Sequence, residues 1–127
     1  MEKGFELEKI NPADPNDLRG PTYGLSVPGT IEITIVDRNK GFKFGGHYHK
    51  GDDPSKNPEK LFLAKGKMNA IFVSKDNNKT ELTLEAPVFL TIFPGTHHLF
   101  EALDNVIIVE ARTTRFNKDY PDSYASE

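Results

Sequence analysis

Apolar and polar residues alternate along much of this chain with the period of a β-strand. Ile31, Ile33 and Ile35 alternate with Glu32 and Thr34, a pattern that predicts a half-buried strand. Phe42–His49 predicts another, and Leu61–Ala64 is a short apolar run. Lys67–Val73 sets Met68, Ala70 and Phe72 on one side, Leu82 and Leu84 mark the next strand, and Val88–Phe93 and Asn105–Ala111 are near-continuous apolar strands. Between them lie turn signals: Gly51–Pro58 reads GDDPSKNP, and Lys75–Asn78 is polar. No helix-length window repeats apolar residues at i, i+3, i+4 and i+7. Many short strands separated by turns predict an all-β sandwich or barrel in a single domain.

Three pieces follow. Residues 1–30 contain Pro12, Pro15, Gly20, Pro21, Gly24, Pro28 and Gly29, which predicts a breaker-rich arm of turns. Residues 31–112 carry the strands. Residues 113–127 form a polar tail with Phe116, Tyr120 and Tyr124, expected to fold back on the barrel or pack on a neighbouring subunit. A chain of 127 residues fits one domain with a core that needs no staples.

Composition narrows the chemistry. There are no cysteines, which excludes disulfides, thiolate metal sites and cysteine nucleophiles. Sixteen basic and nineteen acidic side chains give a formal charge of −3, without the clustered Lys/Arg that nucleic acid binding requires. No apolar run approaches the ~18 residues of a membrane span, and Met1–Gly4 opens without an apolar leader segment. These features predict a cytoplasmic protein without nucleic-acid or membrane partners.

The densest chemistry lies between Gly41 and Gly66. His47 and His49 stand one residue apart, so on a strand both side chains face the same way. Glu59 follows on the next strand, and a second histidine cluster, His97-His98, comes after Pro94-Gly95-Thr96. Four such groups converging on one point would make a metal site or an acid/base site. Gly45-Gly46, just before the pair, predicts a bulge.

These residues resemble the motifs of the cupin superfamily, whose barrels are double-stranded β-helices of jelly-roll type. The first cupin motif has the form G(X)5HXH(X)3-4E(X)6G; Gly41, His47, His49, Glu59 and Gly66 stand at its positions. Nine residues separate His49 from Glu59 in place of three or four, which reads as a lengthened surface loop. The second motif, G(X)5PXG(X)2H(X)3N, is looser: Gly95 and His98 match, whereas Pro87, Phe93 and Ala102 replace the first glycine, the proline and the asparagine. Glu32–Asp37 and Gly45–Lys50, with a tail containing Asp119-Tyr120 and Asp122-Ser123-Tyr124, are similar to the 3,4-ketoisomerases of dTDP-4-keto-6-deoxyhexoses and to the cupin domains of capsular-polysaccharide reductases. The archaeal cupin phosphoglucose isomerases are a more distant resemblance.

The resemblance implies a cupin-type small-molecule enzyme, an isomerase or epimerase of a sugar or sugar nucleotide working in the barrel mouth, and a homodimer. A metal-dependent cupin oxygenase and a non-catalytic small-ligand-binding cupin are the alternatives. As metal ligands, His47, His49, Glu59 and His98 supply three imidazoles and a carboxylate, a set suited to Fe, Mn, Ni, Co or Zn. In a metal-free acid/base site, His47 or His49 is the base, because imidazole titrates near working pH, and Glu59 orients it or acts as partner acid. Both readings stand on the sequence. Tyr48 and His97 should face away from the site. Arg112 and Arg115 read as solvated charges, with a phosphate or carboxylate clamp as the alternative. Phe44, Phe62 and Phe100 read as barrel core, and Lys50 as a loop charge.

Overall fold

The computed structural model describes residues 3–125, which form ten strands and no helix. In chain order they are β1 (Phe5–Lys9), β2 (Glu32–Arg38), β3 (Lys43–Tyr48), β4 (Glu59–Lys65), β5 (Lys67–Val73), β6 (Lys79–Glu85), β7 (Val88–Ile92), β8 (His97–Ala102), β9 (Val106–Arg112) and β10 (Tyr124–Ala125). They make two antiparallel five-stranded sheets, ordered β1-β7-β4-β9-β2 and β10-β3-β8-β5-β6. The fold is an all-β jelly roll of two facing antiparallel sheets. With no helix in the described residues, none is long and apolar enough to cross a membrane.

The inner faces come from strict alternation. Leu61 and Leu63 on β4, Met68, Ala70 and Phe72 on β5, Leu90 and Ile92 on β7, Phe100 and Ala102 on β8, and Val106 and Ile108 on β9 are all buried in one core. Burying a side chain of this kind stabilises the fold by about 1.5–3 kcal/mol. The arm contributes too: within residues 1–30, Phe5–Lys9 is a strand of the barrel, and the Phe5 ring stacks on Phe72 at 3.9 Å. The breakers of residues 11–30 do lie outside the strands.

Two expectations fail on their facing. Ile31, Ile33 and Ile35 are 64%, 56% and 69% exposed, so the apolar side of β2 points outward. Glu32 and Thr34 turn inward because buried Arg112 lies beneath this end of the strand, with its Nε 3.5 Å from a Glu32 oxygen. Phe62 is likewise not core: it pairs with Phe89 and Val109 on the outer face, in a groove also lined by Leu25 and Val27.

Candidate active site

The histidines meet because a bulge re-aims β3. The β3–β8 register shifts between Gly45 and His47, after which His47 sits opposite His98. Gly45 and Gly46 have φ of 83° and 74°, and a Cβ on Gly45 would lie 3.0 Å from the His98 carbonyl oxygen, so glycine is required there. His47, His49 and His98 each offer a ring nitrogen within 4.8 Å of the others. Glu59, at the start of β4, points Oε1 at His49 Nε2 (3.2 Å) and His98 Nε2 (3.5 Å). The three imidazoles and the carboxylate expected from the sequence therefore share one site. His97, the neighbour of His98, lies outside the three-histidine group.

Backbone carbonyls set the tautomers. His49 Nδ1 donates to the Asp122 carbonyl at 2.7 Å, and His98 Nδ1 to that of Thr96 at 3.2 Å. A carbonyl can only accept, so both Nδ1 atoms carry hydrogen and both Nε2 atoms turn toward Glu59. The His49 Nε2 and Glu59 Oε1 contact is not directed as a hydrogen bond, and both atoms are buried without another partner. Two Nε2 atoms facing one carboxylate oxygen call for a cation between them, either a proton or a metal ion. Nδ1–H held on a carbonyl is also how a metal-ligating histidine is usually oriented.

Burial pushes the His98 pKa down to about 4, with Glu59 only partly opposing it, so this ring is neutral at neutral pH. Burial also lowers His47, aided by the charge of His49. For His49 the burial penalty is outweighed by the Glu59 carboxylate and the Asp122 carbonyl, and its pKa rises. Burial would raise Glu59, but His49, Lys56 and His98 overturn that and hold it well below the usual carboxylate range. The surroundings thus push His47 and His98 toward the neutral form and His49, against Glu59, toward the charged one.

The loop between His49 and Glu59 departs from expectation. It does not stay on the surface: Ser55 is buried and Lys56, 8% exposed, is driven inward. Lys56 Nζ donates to Glu59 Oε2 at 2.6 Å and also to Glu110 Oε2. Arg112 is not a solvated charge either. It is 1% exposed, bonds Asp53 of the same loop at 2.7 Å, and lies 3.8 Å from Glu110. Arg115 is exposed, on the wall of an outer groove. The tail is a working part as well. The Asp122 carboxylate accepts the backbone N–H groups of Lys50, Gly51 and Asp53, while its carbonyl fixes His49. Its φ of 50° lets one residue do both, in a region that Asp tolerates better than most.

Lys56, Glu110 and Asp122 were missed by the sequence reading. For Glu110 a signal existed, since it continues the inward register of Val106 and Ile108. The cavity over the histidines holds about 200 Å³, with walls from Val36, Phe44, Leu61, Phe100, Ile108 and Phe116. A larger groove of about 480 Å³ lies across the tail, between residues 52–54 and 114–124, but contains none of the histidines. The titratable cluster of His47, His49, Glu59 and His98 lines the smaller space. Phe44 and Phe100, 5.3 Å apart, line it as expected of barrel core, and Tyr48 turns away against Tyr124. Lys50 is exposed and lies over the Tyr124 ring.

No family model matches the chain, and no curated protein matches it by sequence. Solved structures do match. QdtA, a sugar 3,4-ketoisomerase from Thermoanaerobacterium thermosaccharolyticum in complex with TDP, superposes with a TM-score of 0.76 at 15% identity, over 99% of this chain and 90% of that one. A 3,4-ketoisomerase from Helicobacter canadensis gives 0.74 at 16%, over 96% and 90%. A dTDP-4-dehydrorhamnose 3,5-epimerase from Sulfolobus tokodaii gives 0.68 at 22%, over 96% and 76%. At these identities the likeness establishes the cupin fold.

Proposed function

We propose that this protein is an isomerase or epimerase that moves protons next to the carbonyl of a sugar or sugar nucleotide. The observation that carries the reading is a neutral imidazole, His47, beside the charged His49–Glu59 pair at the floor of an apolar-walled cavity. His47 takes the proton from the carbon next to the carbonyl. The His49–Glu59 pair gives a proton to the carbonyl oxygen as negative charge grows there, yielding an enediol. Return of the proton to the former carbonyl carbon, as the neighbouring hydroxyl gives its own proton back to the His49–Glu59 pair, completes an isomerisation; protonation of the first carbon on its opposite face, as the new enediol O–H gives its proton back to the pair, completes an epimerisation. Asp122 and Thr96 hold the two buried rings in the required tautomers. Solved structures similar to this chain include sugar ketoisomerases and epimerases, one in complex with TDP-4-keto-6-deoxyglucose, which supports a sugar-like ligand.

The donor set also fits a divalent transition metal (Fe, Mn, Ni, Co or Zn), because His49 Nε2 and Glu59 Oε1 are buried without a hydrogen-bond partner. His47, His49 and His98 would hold it, with Glu59 Oε1 beside them, and a bound ion would polarise the substrate carbonyl. Proton transfer remains the work of the side chains. A cytoplasmic setting accords with a chain that has no cysteine. A homodimer accords with β2, a sheet edge whose outward Ile33 and Ile35, with Ile31 just before the strand, are each more than half exposed. Light scattering should then give twice the chain mass, and Ile33→Lys with Ile35→Lys should give the monomer.

The function is tested by incubating the protein with TDP-4-keto-6-deoxyglucose in D2O and following the sugar protons by NMR. Deuterium should enter next to the carbonyl, and His47→Asn should slow it by at least about a hundredfold. No exchange with this or other keto sugars would overturn the reading, leaving a ligand-binding cupin. Oxygen uptake in the same tube would instead indicate an oxygenase.

A further inference from the structure

We propose that Lys56 is a built-in cation that restrains divalent-metal binding at the three-histidine site by occupying the outer oxygen of Glu59. The inference rests on the reading above that His47, His49 and His98 can hold a metal ion. What it adds is a residue that decides how strongly.

The placement is built. Lys56 lies three residues before Glu59, and its ammonium bonds Glu59 Oε2 at 2.6 Å while Oε1 of the same carboxylate faces His49 and His98. The loop that carries it is clamped from the far side. Asp53 accepts from Arg112 at 2.7 Å and from the Thr114 hydroxyl at 2.9 Å, and Ser55 Oγ accepts the backbone N–H groups of Thr113 and Thr114 at 2.9 and 3.0 Å. Glu110 grips the ammonium from β9. Lys56 is therefore fixed, buried and one carboxylate's width from the point where the three imidazoles meet.

Two physical effects follow. A carboxylate that gives one oxygen to an ammonium has less charge to offer a metal on the other. A unit positive charge a few ångströms from a dication, in a buried site, repels it with an energy of several RT. The nine-residue segment between the histidine pair and the glutamate thus has a chemical purpose: it delivers a cation. With Lys56 present the site holds a dication less tightly.

The test is charge-balanced. Replacing both Lys56→Met and Glu110→Gln leaves the net charge unchanged and strands no carboxylate beyond Glu59, whereas Glu110→Gln alone keeps Lys56 and concentrates it on Glu59. Calorimetric titration with Ni2+ and with Zn2+, on protein first stripped with EDTA, should show the double variant binding at least about tenfold tighter than the unmodified protein and the single variant binding more weakly. The visible spectrum of the Co2+-loaded double variant should change from that of the unmodified protein as Glu59 joins the ligand set. Equal or weaker metal binding by the double variant, with the unmodified protein binding normally, overturns the role of Lys56 and leaves the metal site standing. If neither protein binds these ions at millimolar concentration, the metal reading falls and the role of Lys56 with it. Should the double variant fail to fold by circular dichroism, the weakening in Glu110→Gln decides, and unchanged affinity there overturns the proposal.

Discussion

Two polar, breaker-rich regions of this chain look alike in sequence and behave oppositely. Residues 11–30 bond mostly to themselves: Ala13 to Thr22, Asn16 to Asp14, Arg19 to Asp17, Thr30 to Val27. Residues 50–58, together with 113–123, bond to the barrel and to each other through Asp53–Arg112, Ser55–Thr114, Lys56–Glu110 and the three amides on Asp122. The first region wraps the outside. The second forms the floor and rim of the histidine site. The contrast shows that loop composition predicts the absence of regular structure but not the direction in which a loop folds. Direction is set by whether a buried partner of opposite charge waits inside. Arg112 and Glu110, at the inward positions of β9, are those partners.

If Arg112 is what draws the insert inward, Arg112→Met should have the largest effect. It removes the cation beside Asp53 and Glu110 and the N–H that the Thr114 carbonyl accepts. Breaking a buried pair by deleting one partner costs about 3–5 kcal/mol. Urea unfolding should show that loss, and the insert should become a site of proteolytic cleavage. A change within error would mean that the insert is held by Ser55 and Asp122 alone, and the contrast with residues 11–30 would lose its cause.

The next effect comes from pH. The His98 pKa lies near 4 in the fold and near 6.5 in the unfolded chain, so between these values the unfolded state binds the proton and the folded state does not. Stability from this group is therefore present above pH 6.5 and is lost as pH falls to 4, by about 3 kcal/mol. The raised pKa of His49 acts in the opposite sense: its contribution is full at low pH and fades as pH rises through its folded value. Glu59, held low, adds to the acid loss only below the ordinary carboxylate range. In EDTA, the unfolding free energy of the unmodified protein should fall more steeply from pH 6.5 to 4 than that of His98→Asn. Parallel slopes would show that His98 is not buried neutral. Asp122→Ala follows in size, at about 2 kcal/mol for three hydrogen bonds to a carboxylate. The backbone carbonyl that fixes His49 remains in this variant, so a changed His49 tautomer would show that the carboxylate's three bonds also hold that carbonyl in place. With four histidines in the chain, that change is readable in the 15N spectrum of the imidazoles.

The strands and the shared face of His47 and His49 were legible because both follow from local period and spacing, while Glu59 and His98 were placed beside them by the resemblance to the cupin motifs. A two-residue offset puts His47 and His49 on one face whatever surrounds them, and Gly45-Gly46 announces its bulge through the need for positive φ. What stayed hidden depends on partners distant in sequence. Lys56 and Glu110 are 54 residues apart, and Arg112 and Asp53 are 59 apart. Each alone reads as a surface charge, and only the fold reveals that each cancels the other's burial cost. The outward face of β2 was misread for the same reason. Alternation tells that one side of a strand is apolar, but Ile31, Ile33 and Ile35 would face the core only if the other side had nothing buried to pair with. Glu32 does, in Arg112.

The smallest effect belongs to the outer region and completes the comparison. Arg19 makes a forked contact with Asp17, with its Nη2 at 2.8 Å and Nε at 3.0 Å from the carboxylate, as well ordered on paper as Arg112 with Asp53. Yet the Arg19 side chain is open to solvent, and Asp17 lies two residues away, so the pair ties the turn to itself and to nothing in the barrel. Water and salt replace such a contact at almost no cost. Arg19→Ala should leave the urea midpoint, the tautomer of His49 and the metal affinity where they are. A measurable loss would show that residues 11–30 support the site after all, and that the distinction between outward and inward loops is not the one that governs this fold.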